Sequence, residues 1–208
     1  MFTIGHSTHP IDEFIVLLER HAITCVCDVR SAPYSRRNPQ FNRETLRDSL
    51  RQHGIAYVYL GEALGARTGH DECYVDGRVN FRLLRQMPTF LHGIERLLEG
   101  DKRFTIALMC AEKEPLDCHR TILVSRHLVE QGVPIDHILA DGAIEPHPAA
   151  IDRLIDRVGL ERTDLFSSAD EIAERAYALQ ESTVAYQDPG RGDPAGGGNP
   201  PDGGDRSA

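Results

Sequence analysis

Apolar runs of strand length at residues 2–4, 23–29, 55–60, 104–109 and 135–139 alternate along the chain with stretches whose apolar residues recur at helical spacing. That rhythm constrains the fold more than any other feature. It predicts an α/β, three-layer architecture with a mostly parallel sheet of about five strands and helices on both faces. Pro10 opens the first helix, with Ile11, Phe14, Ile15 and Leu18 as its apolar stripe, and Leu46 and Leu50 mark a second that stops near Gly54. Helical pattern returns from Phe81, breaks at Pro88 and resumes to Leu98; a later helix stops at Gly132, and another carries Ile151, Leu154, Ile155 and Val158. Ser168 and Glu171 are spaced as a capping box for one more. Residues 61–79 hold four glycines and no apolar period, the pattern of a functional lid or a disordered loop. The expected division is an α/β domain over residues 1–141, a C-terminal helical extension over 142–186, and a disordered tail over 187–208, where Gly, Pro and Asp cannot build a core.

With 208 residues and 40% hydrophobic content, the chain suits one domain with a substantial core. The net charge of −9 argues against nonspecific duplex binding, which needs Lys and Arg to neutralise phosphates, though a local basic groove stays compatible with it. No apolar run approaches the roughly 20 residues of a spanning helix, and the N-terminus lacks a secretion pattern, so the expected setting is a soluble protein of the cytoplasm. Cys25, Cys27, Cys73, Cys110 and Cys118 form an odd, irregular set that suits reduced thiols.

In an open parallel sheet, chemistry collects where strand carboxyl ends meet helix N-termini. The first strand delivers His6 and Ser7. The second delivers Asp28 and Arg30, with Ser35 and Arg36 following, and the fourth delivers Cys110 and Glu112, with Cys118, His119 and Arg120 across the loop. Asp117 reads as the N-cap of the helix beyond, placing Cys118, His119 and Arg120 in a first turn whose free N–H groups and dipole favour an anion and a thiolate. A guanidinium gains nothing from the dipole there, so Arg120 points to a bound anion. Each residue also has a plainer use: His6 as a turn donor, Asp28 as a tie for loop backbone, Arg36 as solvated surface, Cys110 as a small buried hydrophobe. Cys110, Glu112, Cys118 and His119 are all zinc-ligand types, but the seven residues between the cysteines do not match a zinc knuckle, and no metal is assigned from spacing. The motifs for nucleoside triphosphates, dinucleotides and the serine nucleophile elbow are missing, and the residues specify no cofactor.

The segments GHSTHPIDEFIVLL, CDVRSAPYSRRNPQFN and LMCAEKEPLDCHR resemble the domain of unknown function 488 family, over residues 2 to about 139. The resemblance implies that His6, Ser7, Asp28, Arg30, Ser35, Arg36, Cys110, Glu112, Cys118, His119 and Arg120 occupy the family's motif positions. Where that family tends to read LGG, this chain has Leu64, Gly65 and Ala66. The DVR stretch and the later cysteine also look like rhodanese sulfurtransferases, although Cys110 and Arg120 stand further apart than in that loop. Two classes follow. One is an enzyme on a small anionic or phosphate-bearing substrate, a nucleotide or nucleic acid included, or a thiol-dependent transferase. Its nucleophile is Cys110 or Cys118, its proton carriers His119 or His6, its orienting carboxylates Asp28 or Glu112, and its substrate contacts Ser7, Arg30, Ser35, Arg36 and Arg120. The other is a non-catalytic nucleotide- or nucleic-acid-binding module, or a zinc-binding protein. No membrane partner is expected, and the oligomeric state is open.

Overall fold

The computed structural model describes residues 1–163 and 167–191. All five expected strands form: β1 (Phe2–Gly5), β2 (Cys25–Asp28), β3 (Ala56–Tyr59), and, after the small hairpin β4 (Tyr74–Val75) and β5 (Arg78–Val79), β6 (Ile106–Cys110) and β7 (Asp136–Ile138). A sixth strand, β8 (Ile144–Pro146), runs antiparallel to β7 and closes one edge, giving the order β3-β2-β6-β1-β7-β8 with all other pairings parallel. Three residues ending in proline carry no period, and an edge is where proline is tolerated.

Alternation along the strands assigns the two faces. Ile4, Val26, Ala107 and Met109 pack under α1 (Ile11–Arg20) and α2 (Arg43–Gln52), where Phe14, Leu18, Leu46 and Leu50 are sealed from solvent. Each such side chain contributes roughly 1.5–3 kcal/mol by its burial. Cys25, Cys27, Ile106 and Leu108 face the opposite layer. That layer holds α5 (Pro88–Asp101), α6 (Arg126–Glu130), α7 (His147–Arg157) and α8 (Ala169–Val184), with the short α3 (Gly61–Leu64) and α4 (Phe81–Leu84) beside α5. Ser168 and Glu171 close the expected capping box on α8.

Three expectations are corrected. Residues 61–79 are neither an open lid nor disordered: they fold as α3, a 3₁₀ turn (Asp71–Cys73) and the hairpin, with Cys73 and Val79 buried. The proposed tail begins too early, because Gln187 bridges to Arg78 and Arg191 pairs with Asp71; its remainder, 192–208, lies outside the described residues. The third concerns the helix after β6. Asp117 ends a 3₁₀ turn (Pro115–Asp117), its carboxylate 2.6 Å from Arg157 and 3.4 Å from Gln180, and so it is drawn away from the cap position. Cys118 caps instead. Its backbone is extended, its carbonyl accepts from Ile122 N at 3.2 Å, and its Sγ accepts from Arg120 N at 3.4 Å, as a serine or aspartate oxygen would. A π-helical stretch, Arg120–Ser125, then runs into α6, with Ser125 Oγ donating to Arg120 O at 2.7 Å.

Candidate functional site

β6 lies between β1 and β2, yet its connection runs under the opposite face and in the opposite direction to theirs. The loops part above β6 and leave a crevice at the switch point, where open α/β sheets bind ligands. Gly5 allows the ends of β1 and β6 to touch: a Cβ there would stand 1.9 Å from Glu112 O. The β1–β6 ladder continues past the strands through His6 N to Cys110 O and Ser7 N to Ala111 O, both 2.9 Å, with Ser7 at φ +47°.

The β2 end supplies a buried ion pair. Arg30 donates Nε to Asp28 Oδ1 at 2.9 Å and Nη2 to Asp28 Oδ2 at 2.6 Å, while Tyr57 Oη donates to Oδ2 at 2.7 Å. Nη2 also reaches Phe41 O at 2.8 Å, and Nη1 meets His6 Nε2 at 3.0 Å. His6 stacks on Phe41 and donates Nδ1–H to Ser7 O at 2.8 Å, which leaves Nε2 as the acceptor for Arg30. Burial first, and the Arg30 charge second, lower the His6 pKa to about 4, so the ring is neutral. Burial works against the charge on Arg30, but Asp28 prevails and raises its pKa.

Beside this pair lie two sulfurs and an imidazole. His119 Nε2 donates to Val29 O at 2.9 Å, which turns Nδ1 toward Cys110 Sγ at 3.6 Å and Cys118 Sγ at 3.8 Å. Glu112, an exposed residue, brings Oε2 to 3.0 Å from Cys118 Sγ. Both cysteines are free thiols and almost sealed from solvent. They titrate as a unit. Burial pushes the Cys110 thiol well up; at Cys118 burial is outweighed by the Cys110 hydrogen bond and the Arg120 and His119 charges, so the first proton leaves there. Burial lowers the His119 pKa and the Cys118 charge more than restores it, while burial and Cys118 together raise Glu112.

The two sulfurs and Nδ1 lie within 4.8 Å of one another. Around a tetrahedral zinc ion, Zn–S and Zn–N bonds of about 2.3 and about 2.0–2.1 Å set S···N edges of roughly 3.5 Å. The site already has nearly those edges. Its imidazole also donates its second nitrogen to a backbone carbonyl, as metal-binding histidines do. Cys110, Glu112 and His119 line a cleft of about 270 Å³ whose other walls include Arg30, Ser31, Arg67 and Tyr186.

Of the residues singled out in the sequence, His6, Asp28, Arg30, Cys110, Glu112, Cys118 and His119 therefore converge. Arg120 is nearby but sealed, its Nη1 donating to Glu112 O at 2.8 Å and Nη2 to Lys113 O at 3.4 Å; it holds the loop rather than facing the cleft. Ser7 contributes its carbonyl to His6. Ser35 Oγ accepts from Arg37 N and Asn38 N and so shapes its own turn, and Arg36 is exposed away from the cleft lining. Tyr57, Phe41, Arg67 and Tyr186 carried no sequence signal, because their roles depend on which loops meet in space. Among the described residues, no helix is long and apolar enough to cross a membrane. The family model described as "Domain of unknown function DUF488" matches residues 10–127, more than half the chain, from just past His6 to beyond Arg120. No curated protein and no solved structure matches.

Proposed function

The chain belongs to the family of domain of unknown function DUF488, and from the geometry of the cleft we propose that it is a metal-dependent enzyme of the zinc class acting on a small anionic substrate. Cys110 Sγ, Cys118 Sγ and His119 Nδ1 are the ligands. A bound ion would have a fourth position to fill, and Glu112, which lines the cleft, would be the carboxylate at hand to fill it or to move a proton for substrate or water. A single observation carries this reading: His119, fixed on Val29 O through Nε2, turns its lone pair toward both sulfurs. Arg30, locked by Asp28 and steadied by His6, supplies fixed positive charge to the same cleft.

Elemental analysis of the chain purified without chelator tests it. About one equivalent of a thiophilic divalent metal is expected, falling to near zero in Cys118→Ser and His119→Ala and unchanged in Tyr57→Phe, a variant outside the ligand set. A second reading has its own support in Cys118 as a thiolate capped by Arg120 N–H, the setting of a covalent nucleophile. The burial of Cys118, 1% exposed and outside the residues that line the cleft, counts against it. Metal-free protein whose Cys118 is alkylated rapidly at neutral pH would favour the thiol reading over the metal one.

A further inference from the structure

We infer that the cleft takes a compact tetrahedral oxyanion, of the phosphate or sulfate class, clamped between Arg30 and Arg67. This names the substrate class for the proposed enzyme and rests on that reading only for what the anion meets on the cleft floor.

Arg67 enters from the loop after α3. Its backbone N–H is held by Ser31 Oγ at 2.9 Å, and its guanidinium lies over the Tyr186 ring, 4.5 Å from the centroid. Tyr186 is itself fixed, because its carbonyl accepts from Val79 N at 3.0 Å and Asp188 N donates to Gly77 O at 2.9 Å, so this segment runs along the β4–β5 hairpin. Stacking uses the face of a guanidinium and leaves its N–H edge for an acceptor. Among the described residues no carboxylate or carbonyl takes that edge. On the inner wall, Arg30 is 5% exposed and uses four of its five N–H bonds on Asp28, Phe41 O and His6. One N–H on Nη1 is left without a partner among the described residues, on a residue that lines the cleft.

The number of free donors selects the ligand. A planar carboxylate is gripped best by two parallel N–H bonds from one guanidinium; Arg67 could give two but Arg30 only one, so a carboxylate seated on Arg67 would leave the Arg30 donor unused. A tetrahedral oxyanion turns its oxygens in separate directions, so it can accept from Arg30 on one wall and Arg67 on another. A cleft of about 270 Å³ suits such a group on a small molecule and excludes a duplex. Of the two acidic residues at the cleft, Asp117 is paired with Arg157 at 2.6 Å and Glu112 turns its Oε2 to within 3.0 Å of Cys118 Sγ.

Calorimetric titration of inorganic phosphate into the full chain, both metal-loaded and chelator-stripped, tests the clamp in wild type, in Arg67→Gln, and in Arg37→Gln as an exposed arginine outside the cleft. One phosphate per chain is expected in both forms, about tenfold or more weaker in Arg67→Gln, within about twofold in Arg37→Gln, and not displaced by equimolar acetate. Absent binding, equal binding by Arg67→Gln, or displacement by acetate would overturn it. Metal content in the same samples judges the earlier proposal separately: a chain that takes no metal yet binds phosphate through Arg67 ends that proposal and keeps this one.

Discussion

At residue 5 a hydrogen atom stands where any other amino acid would drive a carbon into the carbonyl of Glu112, so the junction of the first and fourth long strands depends on glycine. Gly5→Ala is expected to cost about 3 kcal/mol in urea unfolding, the upper range for overpacking, and to lower metal content by shifting the loop that carries Glu112. Wild-type stability and metal content in that variant would contradict the close approach. Cys118 shows the same economy of placement. One sulfur accepts the Arg120 N–H, bonds to Glu112 and stands beside His119. Arg120 shows how the folded loop can give a residue a use that its sequence position does not reveal. Its position after Cys118 suggests an anion, but the carbonyls of Glu112 and Lys113 come back across the loop and accept from Nη1 and Nη2, while its buried Nε has no partner among the described residues.

Between elements, a buried polar tie outside the cleft runs from the sheet to the C-terminal helices. Thr3 Oγ1 meets His137 Nδ1 at 2.7 Å, His137 Nε2 meets His147 Nδ1 at 3.0 Å, and His147 Nε2 meets Tyr177 Oη at 2.7 Å, all buried. β1, β7, α7 and α8 are thereby joined by one chain of hydrogen bonds. His147→Phe keeps the ring but strands His137 and Tyr177, and about 2–4 kcal/mol of stability should be lost in urea melts at neutral pH; a loss below about 0.5 kcal/mol would mean the chain is dispensable. These long elements were legible in the sequence because each carries its own period: the Phe14 and Leu18 stripe, the Leu46 and Leu50 pair, the apolar strands, the Ser168 cap. The elements that escaped are too short to have one. β4 and β5 have two residues each, β8 has three, and the helix after β6 begins on a cysteine cap because Arg157 and Gln180 from distant helices claim Asp117. That the residues at the strand ends meet was legible for the same reason as the strands, whereas Arg67, Tyr57 and Tyr186 become visible only once the loops are folded together.

Across the whole molecule, buried neutral histidines tie stability to pH. Burial is the main cause that lowers His6 and His147 to about 4 and His137 to about 2. The unfolded chain takes up these protons near pH 6.5 while the folded chain does not, so their full stability is present above that value and falls as pH drops toward 4. Each histidine contributes a slope of up to about 1.4 kcal/mol per pH unit, and His119, raised overall by the Cys118 charge against burial, offsets part of it. Urea midpoints should therefore drop markedly from about pH 7.5 to about pH 5, with a smaller drop in His147→Phe; a flat profile would contradict the neutral rings. Bound metal should add stability by mass action, because the unfolded chain does not assemble the site. X-ray absorption at the zinc edge of the zinc-loaded chain probes the central arrangement itself. Two sulfur neighbours at about 2.3 Å with one imidazole nitrogen at about 2.0–2.1 Å are predicted. A shell of nitrogen and oxygen alone would contradict a centre made by Cys110, Cys118 and His119.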